Sequence, residues 1–168
     1  MNEETNESRN NEIIEKEINL KNQMKNGLSW FYWIAAFSTI NSILFFINAD
    51  ISFLAGLGIT QIINVFINEI QHAKIIGLIL NIVFILGFIL LGEYSKKSNP
   101  LILFGIIIYS LDSIIFLFIQ DWFSFGFHVF AIMGIISGYK AKKNLFEFEN
   151  NQKINIEKLD IIDETKNI

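Results

Sequence analysis

The chain has no cysteine, one proline and little charge of either sign. Without cysteine there is no disulfide framework, thiol nucleophile, zinc knuckle or iron–sulfur cluster. Thirteen basic residues against seventeen acidic ones leave a formal net charge of −4, so no basic surface exists to neutralise phosphates, and nucleic acid is excluded as a partner. No His-Glu-x-x-His and no Gly-x-Ser-x-Gly occurs, so neither a zinc hydrolase nor a nucleophile elbow is signalled. What the chain has is apolar side chains: 52% of 168 residues, at a mean hydropathy of +0.41. That is too apolar for an ordinary soluble domain of this length, and the partner it implies is a lipid bilayer.

Crossing a bilayer takes about 20 consecutive apolar residues. Four runs qualify: 28–47, 75–94, 101–120 and 122–139. Aromatic rings suited to the headgroup level mark their borders, with Trp30, Tyr32 and Trp33 at the first, Tyr94 closing the second, and Trp122 and Tyr139 flanking the fourth. Pro100 after Asn99 reads as a cap followed by a first helical turn. The first 26 residues carry acids and bases in mixture and no apolar core, unlike a secretory signal.

Segment 51–72 is apolar enough to compete as a fifth span, and the lysines decide the count. With four spans, Lys16, Lys21, Lys25, Lys96, Lys97, Lys140, Lys142, Lys143 and Lys153 share one side and only Lys74 takes the other; a fifth span would scatter them. Basic residues in short loops stay cytoplasmic, so four spans with both termini cytoplasmic is the expected topology. Segment 51–72 then lies at the outer side. Thr60, Gln61, Asn64, Asn68, Gln71 and His72 recur three to four apart among isoleucines, which favours a helix lying in the interface with Gln61, Asn64 and Asn68 as a wetted stripe. A re-entrant hairpin turning at Gly56 to Gly58 is the competitor, allowed only where protein covers its backbone. Asp50 stands where it would cap the segment.

The fold class that follows is all-α: an integral membrane four-helix bundle with an interfacial or re-entrant helix over 51–72. Residues 1–26 form a polar cytoplasmic tail, 27–140 the membrane domain and 141–168 a charged cytoplasmic tail, both tails expected to fray or lie on the surface. Ile13, Ile14, Ile18 and Leu20 suggest a turn or two of amphipathic helix, and Leu145, Phe146 and Phe148 an extension of the last span.

Polar groups at membrane depth are costly, so they carry the information about function. Each span has one: Asn41, Asn81, Asp112 and His128. Counted from Ile47, Ile75, Ile119 and Trp122 at the outer side they lie six, six, seven and six residues in, or about 9–11 Å deep at the helical rise, a candidate polar layer. Spans three and four must form an antiparallel hairpin turning near Gln120 and Asp121, which leaves Asp112 and His128 equidistant from the turn. Gly105, Tyr109 and Asp112 share one helix face; Ser124, His128, Ala131 and Gly138 share another. Gly134 and Gly138 make a Gly-x-x-x-Gly facing Gly105 at similar depth. Burying a carboxylate costs about 2.5–3.5 kcal/mol on insertion scales, which the fourteen Leu, Ile and Phe of the third run outweigh at about 0.3–0.6 kcal/mol each.

The residues admit two roles. Asp112 with His128 serves either as interhelical glue or as a proton or cation site, and Asn41 and Asn81 read as interhelical hydrogen-bond donors. Glu93, Asp50 and Asp121 sit at interfaces and draw no chemical assignment. No catalytic residue, metal or cofactor is expected; serine catalysis would need Ser110 or Ser113 beside Asp112 to reach His128.

In Gly56-Leu-Gly-Ile-Thr-Gln61, Tyr109-Ser-Leu-Asp112, Asp121-Trp122 and Phe127-His128 the chain resembles small bacterial multipass inner-membrane proteins that carry no assigned activity. The resemblance covers residues 30–140 and implies a bacterial cytoplasmic membrane setting and a shared role for Asp112 and His128. The leading expectation is therefore a non-enzymatic multipass membrane protein whose polar layer holds the bundle, within a homo-oligomer or with a membrane-protein partner. A small proton- or cation-coupled transport component using Asp112 and His128 is the alternative.

Overall fold

The computed structural model describes residues 2–47, 56–68 and 74–166. Asp50, Gln71 and His72 lie outside them, as does the side chain of Asn68. The described residues form six helices: α1 Asn2–Leu28, α2 Trp30–Phe46, α3 Gly58–Asn68, α4 Lys74–Ser95, α5 Asn99–Phe118 and α6 Trp122–Lys166. Among the described residues four stretches are long and apolar enough to cross a membrane: Glu7–Phe46, Ile75–Ser95, Asn99–Phe118 and Trp122–Asn155. The all-helical fold class read from hydropathy is the fold found, with helix boundaries within a few residues wherever apolar runs set them. Ser98 rather than Asn99 caps α5, which moves Pro100 into the first turn beside Asn99.

The tails differ from the expectation of fraying. Ser29, between α1 and α2, has helical torsions, and its amide and carbonyl continue the ladder to Lys25 and Trp33, so residues 2–46 run as nearly one helix. α6 likewise continues unbroken from the last span to Lys166. The two long helices pair antiparallel. On α1 the shielded positions are Ile13, Glu17, Leu20, Met24 and Gly27, spaced alternately four and three; on α6 they are Gly138, Ala141, Leu145, Phe148 and Gln152, spaced three and four. That is the seam of a two-stranded coiled coil. Lys16 lies over the Phe148 ring, and Lys21 approaches Glu149 at 4.0 Å, in the same register. An isolated polar helix of this length would be marginal in water; docking along a seam is what holds it.

Glycines set the closest approach at the base of this arm. A Cβ on Gly27 would overlap the Gly138 backbone, and one on Gly134 would overlap the Trp30 indole. The Gly-x-x-x-Gly of α6 thus packs on the α1–α2 helix, not on Gly105, which instead accommodates Phe31. The core between the helices is built from Leu28, Phe31, Ile34, Phe88, Ile102, Tyr109, Ala131 and Ile135.

At this end Glu93 ties elements together. Its Oε2 accepts from Tyr32 Oη at 2.7 Å and from Lys96 Nζ at 2.8 Å, and the Lys96 ammonium lies over the Tyr32 ring. The hydrogen bond to Glu93 holds Lys96 above the ordinary lysine range. Lys142 of α6 donates to Ser95 O at 2.8 Å, placing a cation at the C-terminal end of α4.

The α5–α6 turn is closed by a Schellman motif: Asp121 N donates to Phe116 O and Gln120 N to Leu117 O, with Gln120 left-handed at φ 58°. Asp121 begins α6 by accepting from Ser124 N at 3.1 Å and from the Ser124 hydroxyl. A side chain is strained at Gln120, so Gln120→Gly is expected to stabilise the protein by about 0.5–1 kcal/mol, read as a raised thermal midpoint in detergent. An unchanged or lower midpoint would mean that the turn tolerates glutamine without cost.

α3 packs against α2, α4 and α5, and Leu57 and Thr60 at its start are buried. Protein therefore covers the backbone at that end, which is the condition that a re-entrant placement would have to meet.

Candidate functional site

Three residues of α5 at spacings of three and four, Tyr109, Asp112 and Phe116, face three of α6, Ser124, His128 and Ala131, across the hairpin. Because the turn centres on Gln120, His128 meets Asp112: Nε2 lies 3.2 Å from Oδ2. The imidazole is fully buried and clamped between two rings, stacked on Tyr109 at 4.5 Å and 19° and tilted against Phe116 at 4.6 Å. Its other nitrogen, Nδ1, lies 2.7 Å from Ser124 O.

Proton counting restricts the pair. Ser124 O can only accept, so Nδ1 carries a hydrogen. One further proton then lies on the line between Nε2 and Oδ2, and whichever atom holds it the pair has no net charge. A pair neutral as a unit is far cheaper to bury than either ion alone.

Both oxygens of Asp112 also accept from backbone. Oδ2 accepts from Gly58 N at 2.7 Å and Oδ1 from Ile59 N at 2.9 Å. These are orphan amides of the first turn of α3, where the helix dipole favours a carboxylate. The neighbouring donors are also satisfied: Leu57 N by Ser38 Oγ at 2.8 Å and Thr60 N by Leu57 O. Asp112 therefore caps a helix that starts 54 residues before it in the chain. Asp50, expected in that role, is outside the described residues. Gly58 permits the approach, since a Cβ there would sit 2.7 Å from the Phe116 ring.

The two asparagines do not join Asp112 and His128 directly; each faces the α3 segment. Asn41 lies against Gly56, whose Cβ would overlap its Nδ2. Asn81 Nδ2 donates to Asn64 Oδ1 at 2.8 Å. Asn64 is thus buried between α3 and α4, a correction to the wetted stripe, while Gln61 is half-buried and the Asn68 side chain is not described. Ser38 was missed by sequence reasoning. Its signal was the polar stripe Ser38, Asn41 and Ser42 at helical spacing on the buried face of α2.

The two serine hydroxyls of the hairpin nearest the pair, Ser113 and Ser124, are both engaged elsewhere. Ser113 Oγ donates to Ser110 O and Ser124 Oγ to Asp121. Among the described residues no three His, Cys, Asp or Glu side chains converge on a metal position. Two buried polar atoms lack a partner there, Asn81 Oδ1 and the Tyr109 hydroxyl. The arrangement is suited to holding a helix end and to sharing one proton.

The chain matches no family model, no curated protein and no solved structure.

Proposed function

We propose that this chain is a non-enzymatic multipass integral membrane protein of a bacterial cytoplasmic membrane, in which Asp112, His128, Asn41 and Asn81 hold a re-entrant helix inside a four-span bundle. The paired ends of α1 and α6 form its cytoplasmic arm, the part that engages a larger assembly. The observation that carries this reading is the engagement of both Asp112 oxygens. Each accepts a backbone amide of α3 while the His128 ring is sealed between Tyr109 and Phe116, so both oxygens are already engaged in holding the fold.

One observation favours a second reading, a proton- or cation-coupled transport component. A helix N-terminus that stops inside the bundle beside an ionisable pair is an arrangement used at transporter sites, and Asp112 also borders a recess of about 290 Å³ between α3, α4 and α5. The two readings separate in reconstituted vesicles. The structural role predicts no pH-driven flux from the native protein and none from Asp112→Asn, with the variant still inserted. Flux in the native protein that Asp112→Asn abolishes would replace the structural reading with transport.

Topology is tested with single added cysteines, which have no background in this chain. Lys97→Cys and Lys153→Cys should react with an impermeant maleimide from one face of the membrane and Lys74→Cys from the other. Labelling of positions 74 and 97 from the same face would overturn the orientation.

A further inference from the structure

α4 and α5 are joined by a tight turn at Lys96 and Lys97, with Lys97 N and Ser98 N both donating to Tyr94 O. They then diverge, since α4 packs mainly on α2 and α5 mainly on α6. The gap is a groove of about 360 Å³ with almost entirely apolar walls, among them Phe84, Leu91, Tyr94, Leu101 and Phe104. A second recess of about 290 Å³ adjoins it, sharing Phe84, Phe88 and Ile108. Gly87 lies in the first groove. Gly27, Gly92, Gly105, Gly134 and Gly138 each have a neighbour seated where a side chain would be, but a Cβ at Gly87 would meet nothing within 4 Å.

We propose that this groove seats one acyl chain of an acidic phospholipid whose headgroup is held at Lys97. The inference rests on the membrane-spanning reading and not on the role given to Asp112. Length supports it. From Tyr94 to Val83 the groove follows α4 for about 16 Å at the helical rise, and one leaflet of hydrocarbon is about 15 Å deep. The scarcity of polar wall atoms argues against a hydrophilic solute. A helix with its side chains is about 10–12 Å across and packs in membranes through stripes of small residues, whereas here Gly87 is the one small residue among bulky ones. Charge complements the headgroup. Lys96 is engaged by Glu93, but Lys97 is exposed and makes no ion pair among the described residues, beside an exposed Tyr94 at the level where aromatic rings meet headgroups.

The test is native mass spectrometry on the full chain, reconstituted into vesicles of equal phosphatidylglycerol and phosphatidylcholine and then released into mild detergent. The native protein should retain one phospholipid, enriched at least fivefold in phosphatidylglycerol. Gly87→Phe, which fills the groove, should retain at least tenfold less, while Gly126→Phe, at the other glycine with open space beyond it, should retain as much as the native chain. Lys97→Gln should keep a lipid but lose the preference for the acidic headgroup. Should Gly87→Phe fail to fold, Phe104→Trp reads the same site: its added fluorescence should be quenched by phosphatidylglycerol brominated along the chain and should stay quenched after detergent washing. Equal retention by Gly87→Phe and the native chain, a tryptophan at 104 that washes free of quencher, or a native dimer that Gly87→Phe converts to monomer would each overturn the proposal, the last by giving the groove to a second copy.

Discussion

Asp112→Ala is expected to lower the unfolding free energy by about 3–5 kcal/mol, the usual loss when one partner of a buried charge-paired group is removed. The amides of Gly58 and Ile59 and the His128 ring all lose their partner together. Asp112→Asn should cost roughly half as much. Its one oxygen still accepts an amide, while its NH2 group confronts the other donor. Thermal unfolding followed by circular dichroism in detergent micelles gives the ranking native, then Asn, then Ala. Protection of the Gly58 and Ile59 amides from hydrogen exchange should fall in the same order. An alanine variant as stable as the native chain would show that the α3 cap contributes nothing to the bundle.

Gly27→Leu is the second large effect. Its Cβ would have to enter the backbone of Gly138, which cannot rotate aside as a flexible side chain would, so the two long helices must separate. Overpacking costs about 1–3 kcal/mol, and a backbone neighbour puts this site at the upper end. Spin labels on cysteines introduced by Glu12→Cys and Lys153→Cys report the arm, because the seam places those positions at one level. A single short distance in the native background should lengthen and broaden in Gly27→Leu, and limited proteolysis within 9–25 should accelerate. An unchanged distance would mean that the arm is held by its outer seam alone and does not depend on the glycine contact.

The parts of the molecule legible in the sequence are those governed by local patterns. Hydropathy placed α2, α4, α5 and the first half of α6, since an apolar run declares itself whatever it packs against. The Asp112–His128 contact was legible for a related reason. A near-zero loop forces a hairpin, and in a hairpin the partner of a residue is found by reflection through the turn at Gln120. Of the arm, the sequence showed a turn or two of helix at Ile13–Leu20 and an extension of the last span at Leu145–Phe148, and not its full length, because Glu17, Ala141 and Gln152 sit in its seam and dilute the apolar period while frequent charge suggests a frayed tail. The partner of Gly134 and Gly138 was misplaced too: a small-residue motif states that something comes close and does not say what.

Composition and periodicity alone therefore determined that the chain is helical, that it has four segments fit for a bilayer, and that one polar group lies in each. Tertiary structure alone decided what those groups do. The acceptors and donors that complete the site are the backbone amides of Gly58 and Ile59, the carbonyl of Ser124 and the hydroxyl of Ser38, brought together from three separate elements. A backbone amide is the same in every residue, so its pairing leaves no mark in the sequence; only the packing of α3 against α5 selects which carboxylate it meets.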